Sequence, residues 1–314
     1  MTNSTSIIAV DTVFSNYVGK GNFLSSYPDA VAAYSMRTIA SGRYVGPLVR
    51  VRRGSDQVEK DFYAHAGAIN TDELKAFIGV ASGFVTVWYD QSGNGNHAFQ
   101  PVTTAQPMIA KYGTVILYSG KNCVMFAGNG DCLQLPQSVV TPFISGVNDL
   151  SIFTACTPKN GAQAFTFLSM AGTDQVTPTS NDLILCQANA TYPSTGTHSA
   201  GISIQKISGL PTPLYRYTVG SGAPVADSPL VIGITRDNGT VTINDTKTTS
   251  TTANMNVGQQ KLVIGTIGAI RRGINLTLDP NNVDSKIAEL IIYKKSYQSV
   301  ISNIINEIAE YYGV

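Results

Sequence analysis

Asp90, Ser92, Asn94, Asn96 and His97 fall within the stretch "VWYDQSGNGNHAFQ", residues 87–100. Oxygen donors at alternate positions such as Asp90, Ser92 and Asn94 are the spacing with which a calcium loop begins. No Glu follows to close an EF-hand loop. The same residues are those a tight turn selects, because Asn and Gly tolerate positive φ and Asp and Ser side chains bond nearby backbone N–H groups. The expectation is a structural turn, with calcium at Asp90 and Asn94 or a sugar contact as the alternatives. His97 is expected to be a satisfied polar residue rather than a base. Trp88, the only Trp, is either a sugar-stacking platform or core.

Acid–base chemistry needs carboxylates, and their distribution is uneven. The five Glu are Glu59, Glu73, Glu289, Glu307 and Glu310, so residues 74–288 contain none. Asp182, Asp227, Asp279 and Asp284 occupy turn-like surroundings. Glu289, in "IAELIIY", is expected on the face of Ile287, Ile291 and Tyr293, making a structural hydrogen bond or an ion pair with an Arg. Cys123, Cys132, Cys156 and Cys186 show no C-x-x-C spacing and are expected to be buried or half-buried thiols, with disulfides as the alternative. No residue is assigned a catalytic role.

With 21 basic and 20 acidic residues and only 13% charge, the 314-residue chain lacks the electrostatic footprint that nucleic acid or an anionic membrane attracts. The stretch "RVRRGSDQVEK" is offset by Asp56, Glu59 and Asp61. Polarity comes from Ser, Thr, Asn and Gln, alongside 29 Gly and 14 Pro, a composition suited to short strands and turns. It points to an extracellular or particle-associated β protein. The N-terminus shows no basic-then-apolar leader, and no window approaches a membrane span.

The elements that must position these groups are mostly strands. Residues 1–26 read as an arm. "YPDAVAAYSMRTIAS" reads as a short helix opened by Pro28 and Asp29, with Val31, Tyr34 and Thr38 on one face. "GPLVRVRR" alternates as a half-buried strand, and "NTDELKAFIGV" reads as a helix capped by Thr71. "GFVTVWYD" is the strand that leads into the loop. From residue 112 onward strand follows strand, with a hairpin at Asn238 and Gly239 and a closing amphipathic helix whose apolar stripe is Val300, Ile301, Ile304, Ile305 and Ile308.

Two stretches, "VAAYSMRTIASGRYVGPLVRVRRGSDQVEKDF" (31–62) and "VTVWYDQSGNGNHA" (85–98), resemble the catalytic domain of the α-L-arabinofuranosidase B glycoside hydrolases. More loosely, "NCVMFAGNGDCLQLP", "VIGITRDNGTVTIN" and the final strand and helix are similar to the laminin-G and concanavalin A-like sandwich family. Segments of this type also occur in phage and giant-virus particles. Both resemblances imply one architecture, an all-β, concanavalin A-like jelly-roll β-sandwich over residues 27–314. The first also implies a nucleophilic Glu from the middle of the domain, an acid Asp in a Gly-rich stretch before the final strand, and an adjacent cysteine pair beside the sugar. Here the region from "NDLILCQANA" to "GISIQKI" offers only Asp182, "VIGTIGAIRRGINLT" has no acid before Asp279, and no cysteines are adjacent.

These departures lead to the expectation of a non-enzymatic virion protein, a capsid or tail accessory. Its expected partners are sister subunits in a homo-oligomer, other particle proteins and surface glycans contacted through Trp88, Asp90, Ser92, Asn94, Asn96 and His97. No cofactor is expected. The alternatives are a glycoside hydrolase of the arabinofuranosidase type with a rearranged carboxylate pair, and a free carbohydrate-binding module.

Overall fold

The computed structural model describes residues 22–143, 149–157, 165–172, 183–188, 201–205, 215–216, 228–245, 251–254, 262–272, 277–279 and 285–314, apart from residues 41, 129 and 239. Of the expected arm, residues 1–21 lie outside the described residues, and Phe23–Ser26 form one helical turn with Phe23 and Leu24 buried. The architecture is all-β with few helices. Antiparallel pairing links 19 strands into one sheet that curls on itself.

Its first half contains β1 (Ala30–Ser35), β2 (Val49–Arg53), β3 (Glu59–Phe62), helix α1 (Thr71–Ile78) and β4 (Gly83–Trp88). Its second half contains β5 (Leu150–Thr157), β6 (Leu230–Asp237), β7 (Thr240–Asp245), β8 (Ser285–Tyr293) and helix α2 (Ile301–Tyr312). The chain's two ends meet in β8, which pairs with β1 and with β5, and β5 pairs in turn with β6. A second run of pairing goes from β3 through β2 and β4 to Ala98–Phe99, Leu133–Leu135, Leu262–Ile267, Phe165–Gly172 and Leu183–Ala188.

Apolar alternation along these strands builds two layers. One face sends Tyr34, Val49, Val51, Trp88, Ile152, Leu290 and Ile292 into a core enclosed by the curled sheet. The opposite face sends Phe153, Val231, Ile291 and Tyr293 against Ile301, Ile304, Ile305 and Ile308 of α2, the stripe read from the sequence. Gly233 lets the helix come this close, since a Cβ there would meet Ile305 and Phe153 at 2.9 Å. At the β6–β7 hairpin, Asn238 takes φ +44° as the Asn-Gly pair requires.

Three expectations are corrected. Residues 30–35 form a strand, not a helix: Asp29 turns at φ +69°, and pairing with the isoleucine-rich β8 outweighs the helix propensity of three alanines. The α1 cap is Asn70, whose side chain accepts from the Asp72 and Glu73 N–H groups. Thr71 instead donates to Asn122 at 2.7 Å. Finally, a register shift between Ala155 and Cys156 opposite β8 puts Ile287 in the inner core and Ala288 on the helix side, reversing the faces a strict alternation assigns.

Candidate functional site

The loop after β4 lies along the edge of β1 that β8 does not pair, and its side chains do the work of a missing strand. Asp90 Oδ1 accepts the N–H groups of Ala33 (2.8 Å) and Ser92 (2.8 Å). Its Oδ2 accepts the Asn96 N–H (3.0 Å) and the Ser92 hydroxyl (2.7 Å). Gln91 accepts the Ile39 N–H and donates to the carbonyls of Ser35 and Arg37. Asn94 and Asn96 donate to the carbonyls of Ala30 and Val31. Gly93 and Gly95, at φ +93° and +70°, let the backbone curl around the carboxylate. An open strand edge leaves its amides and carbonyls unpaired, and here side chains cover it.

The structure therefore brings Asp90, Ser92, Asn94 and Asn96 together, with His97 accepting the Asp90 N–H at Nδ1 (3.1 Å). Trp88 lies apart from them, fully buried beside Tyr34. Both Asp90 oxygens are engaged by donors, so a cation there would have to displace them. Asn94 is exposed and His97 half-buried, so these two can meet a ligand.

Beside the loop, Arg50 holds Asp61 through two hydrogen bonds of 2.7 and 2.8 Å, and Tyr89 donates to the same carboxylate at 2.8 Å. The Arg50 bonds hold Asp61 below the usual carboxylate range, helped by Tyr89 and opposed by partial burial. Burial first, and then Asp61, push the Tyr89 hydroxyl up to about 12. Arg53 pairs with Asp56 in the same way, so the basic stretch is internally neutralised.

On the other side of β1, Glu289 is fully buried and receives Arg37 in a two-point ion pair, 2.9 and 3.0 Å. Ser35 and Tyr312 also donate to it. The Arg37 guanidinium lies 4.2 Å from the centre of the Tyr311 ring. Burial, the largest single influence, would lower Arg37, but the charge and hydrogen bonds of Glu289, with Tyr312 and Tyr311 beside it, together outweigh burial and the net shift is upward. The expected structural partner of Glu289 is thus Arg37, which the sequence did not single out. All four cysteines are buried thiols, and burial pushes Cys123 up to about 12. Among the described residues no three His, Cys, Asp or Glu side chains gather into a metal-binding group.

The all-β scaffold and its first third are similar to known glycoside hydrolases. Residues 24–120 match the family model of the catalytic domain of α-L-arabinofuranosidase B. α-L-Arabinofuranosidase B of Penicillium canescens is 36% identical over 80 residues, 25% of this chain and 17% of that protein. An α-L-arabinofuranosidase of Hypocrea jecorina is 38% identical over 71 residues, 22% of this chain and 14% of its own length. In fold, a GH54 α-L-arabinofuranosidase soaked with a cyclic sulfate inhibitor matches 92% of this chain and 65% of its own at a TM-score of 0.62 and 16% identity. A second solved arabinofuranosidase, complexed with arabinofuranosyl-α-1,2-xylobiose, gives a TM-score of 0.61.

These matches overturn the expectation of a non-enzymatic capsid or tail protein located in a virion, since the relatives are fungal glycosidases. The expectation set the absence of one Glu above the likeness of residues 24–120 to the arabinofuranosidase catalytic domain. A composition rich in polar turns also fails to separate particle proteins from extracellular hydrolases. The replacement candidates Asp182, Asp227 and Asp284 lie outside the described residues, and Asp279 is described in its backbone alone.

Asp90→Ala leaves the Ala33, Ser92 and Asn96 N–H groups without their acceptor, and urea denaturation should show a loss of about 3 kcal/mol or more. Asp61 has a lowered folded pKa, so its stabilising contribution is complete above the unfolded carboxylate value of about 3.9 and is lost as pH falls through the folded value. Below about pH 4, the wild-type protein should therefore lose stability more steeply than Asp61→Asn in parallel acid titrations.

Proposed function

We propose that this chain is a glycoside hydrolase of the α-L-arabinofuranosidase type, extracellular, built on a concanavalin A-like jelly-roll connectivity over residues 27–314. The observation that carries the reading is the family match over residues 24–120. Its residues are the ones that spend their polar groups on the Asp90 loop and the Arg37–Glu289 pair.

The reaction uses two carboxyl groups about 5 Å apart in a retaining enzyme. One attacks the anomeric carbon of the arabinofuranosyl unit, while the other, protonated, gives its proton to the departing glycosidic oxygen. Water then cleaves the glycosyl–enzyme ester, with the second group acting as base. We assign these roles to Asp182 as nucleophile and Asp279 as acid. Two placements support the choice. Asp182 directly precedes the strand Leu183–Ala188, which pairs with Phe165–Gly172. Asp279 stands opposite Ile270 in a small hairpin, and the Ile270–Arg272 arm of that hairpin lies against the same strand. Of the loop residues, Asn94 and His97 are offered as glycan contacts, with Asp90, Ser92 and Asn96 holding the loop in shape and Trp88 buried in the core.

The test is release of 4-nitrophenol from 4-nitrophenyl α-L-arabinofuranoside. Turnover is expected, with Asp182→Asn and Asp279→Asn each lowering kcat by about 10²–10⁴-fold. Because two carboxyl groups suffice for this chemistry, chelation of divalent cations should leave the rate unchanged. A wild-type protein inactive on arabinofuranosides, or activity insensitive to Asp→Asn changes at residues 182, 227, 279 and 284, overturns the reading.

A further inference from the structure

Two hollows meet at Tyr311, on the helix-bearing side of the sheet and away from the strands that flank Asp182 and Asp279. The larger, about 520 Å³, lies between Tyr27 and the wall of α2 formed by Asn303, Asn306, Glu307 and Glu310. Residues three and four apart fall on one helix stripe, so these four side chains form a continuous polar edge beside the buried isoleucine stripe. The smaller hollow, about 220 Å³, is lined by Thr71, Lys121 and Asn122. Arg37 and Tyr311 belong to both, so the two make one groove crossing Tyr311.

The chemistry of the walls selects a ligand class. The charge of Arg37 is already spent on Glu289 at 2.9 Å, and Lys121, whose Nζ lies 5.2 Å from the centre of the Tyr311 ring, is outweighed by Glu307 and Glu310 on the rim, so the walls carry no net positive charge for an anion. The exposed amides of Asn303 and Asn306 have no hydrogen-bond partner among the described residues. Burial lifts the Glu307 carboxyl above its usual range, against an opposing hydrogen bond from Tyr27. A bare divalent cation would want several oxygen ligands converging at 2.0–2.6 Å, and among the described residues no three His, Cys, Asp or Glu side chains gather there. Amide and carboxyl groups spaced along an aromatic-edged groove suit instead a neutral ligand with many hydroxyls, each able to donate and accept.

We infer that this groove is a non-catalytic binding site for a neutral pentose oligosaccharide, separate from the hydrolytic centre. Only the choice of pentose rests on the proposed function. The site holds a chain while cleavage occurs on the other run of strands, raising the local concentration of cleavable units.

The probe is arabinotriose, titrated calorimetrically into the wild-type protein and into an Asn303→Ala, Asn306→Ala double variant. Both positions are exposed in α2, so the unfolding midpoint should be unchanged. Saturable binding that weakens at least about tenfold in the double variant supports the site. Equal binding by both proteins, no saturable binding to the wild type, or binding of calcium chloride or spermidine in its place overturns it. The aryl arabinofuranoside assay reports separately on the proposed function. If that assay shows no turnover while arabinotriose binding is still lost in the double variant, the hydrolase reading falls and the groove stands.

Discussion

The interaction on which the structure turns is the ion pair between Arg37 and Glu289, 252 residues apart in sequence and at 2% and 0% exposure. Two charges taken this far out of water must be answered on every side, because a buried charge left without its partner costs about 3–5 kcal/mol. Several features follow from that demand. β1 has to run alongside β8 to bring Ser35 and Arg37 to the carboxylate, which fixes residues 30–35 as a strand. The end of α2 has to reach the pair so that Tyr312 can donate to Glu289 and Tyr311 can cover the guanidinium. Gln91 holds the Arg37 carbonyl, which carries the constraint into the loop after β4.

That loop completes the arrangement. Among the described residues β1 has only β8 as a strand partner, and its other edge is closed by Asp90, Gln91, Asn94 and Asn96. The segment most like the arabinofuranosidases is therefore a brace. It ties the opening strand to the closing strand and helix.

Much of this was legible from residue pattern. The alternation of "GPLVRVRR" and "GFVTVWYD", the Asn238 turn, the α2 stripe and the buried thiols all follow from side-chain periodicity and turn chemistry. Glu289 could be read as one half of an ion pair because a carboxylate amid isoleucines needs a cation, but nothing local names Arg37. Residues 30–35 misled because alanines favour a helix in isolation and only pairing with β8 makes them a strand. The functional expectation misled because it weighed a missing Glu above the detailed likeness of residues 31–62 and 85–98.

The central claim is that carboxylates outside the resemblance's own positions perform the hydrolysis. A cyclic sulfate arabinofuranose analogue, which a nucleophilic carboxylate opens to form a stable ester, tests it most directly through intact mass followed by peptide mapping. One adduct per chain, on the peptide carrying Asp182, is the predicted result. An unmodified protein after prolonged incubation, or an adduct outside Asp182, Asp227, Asp279 and Asp284, contradicts the account.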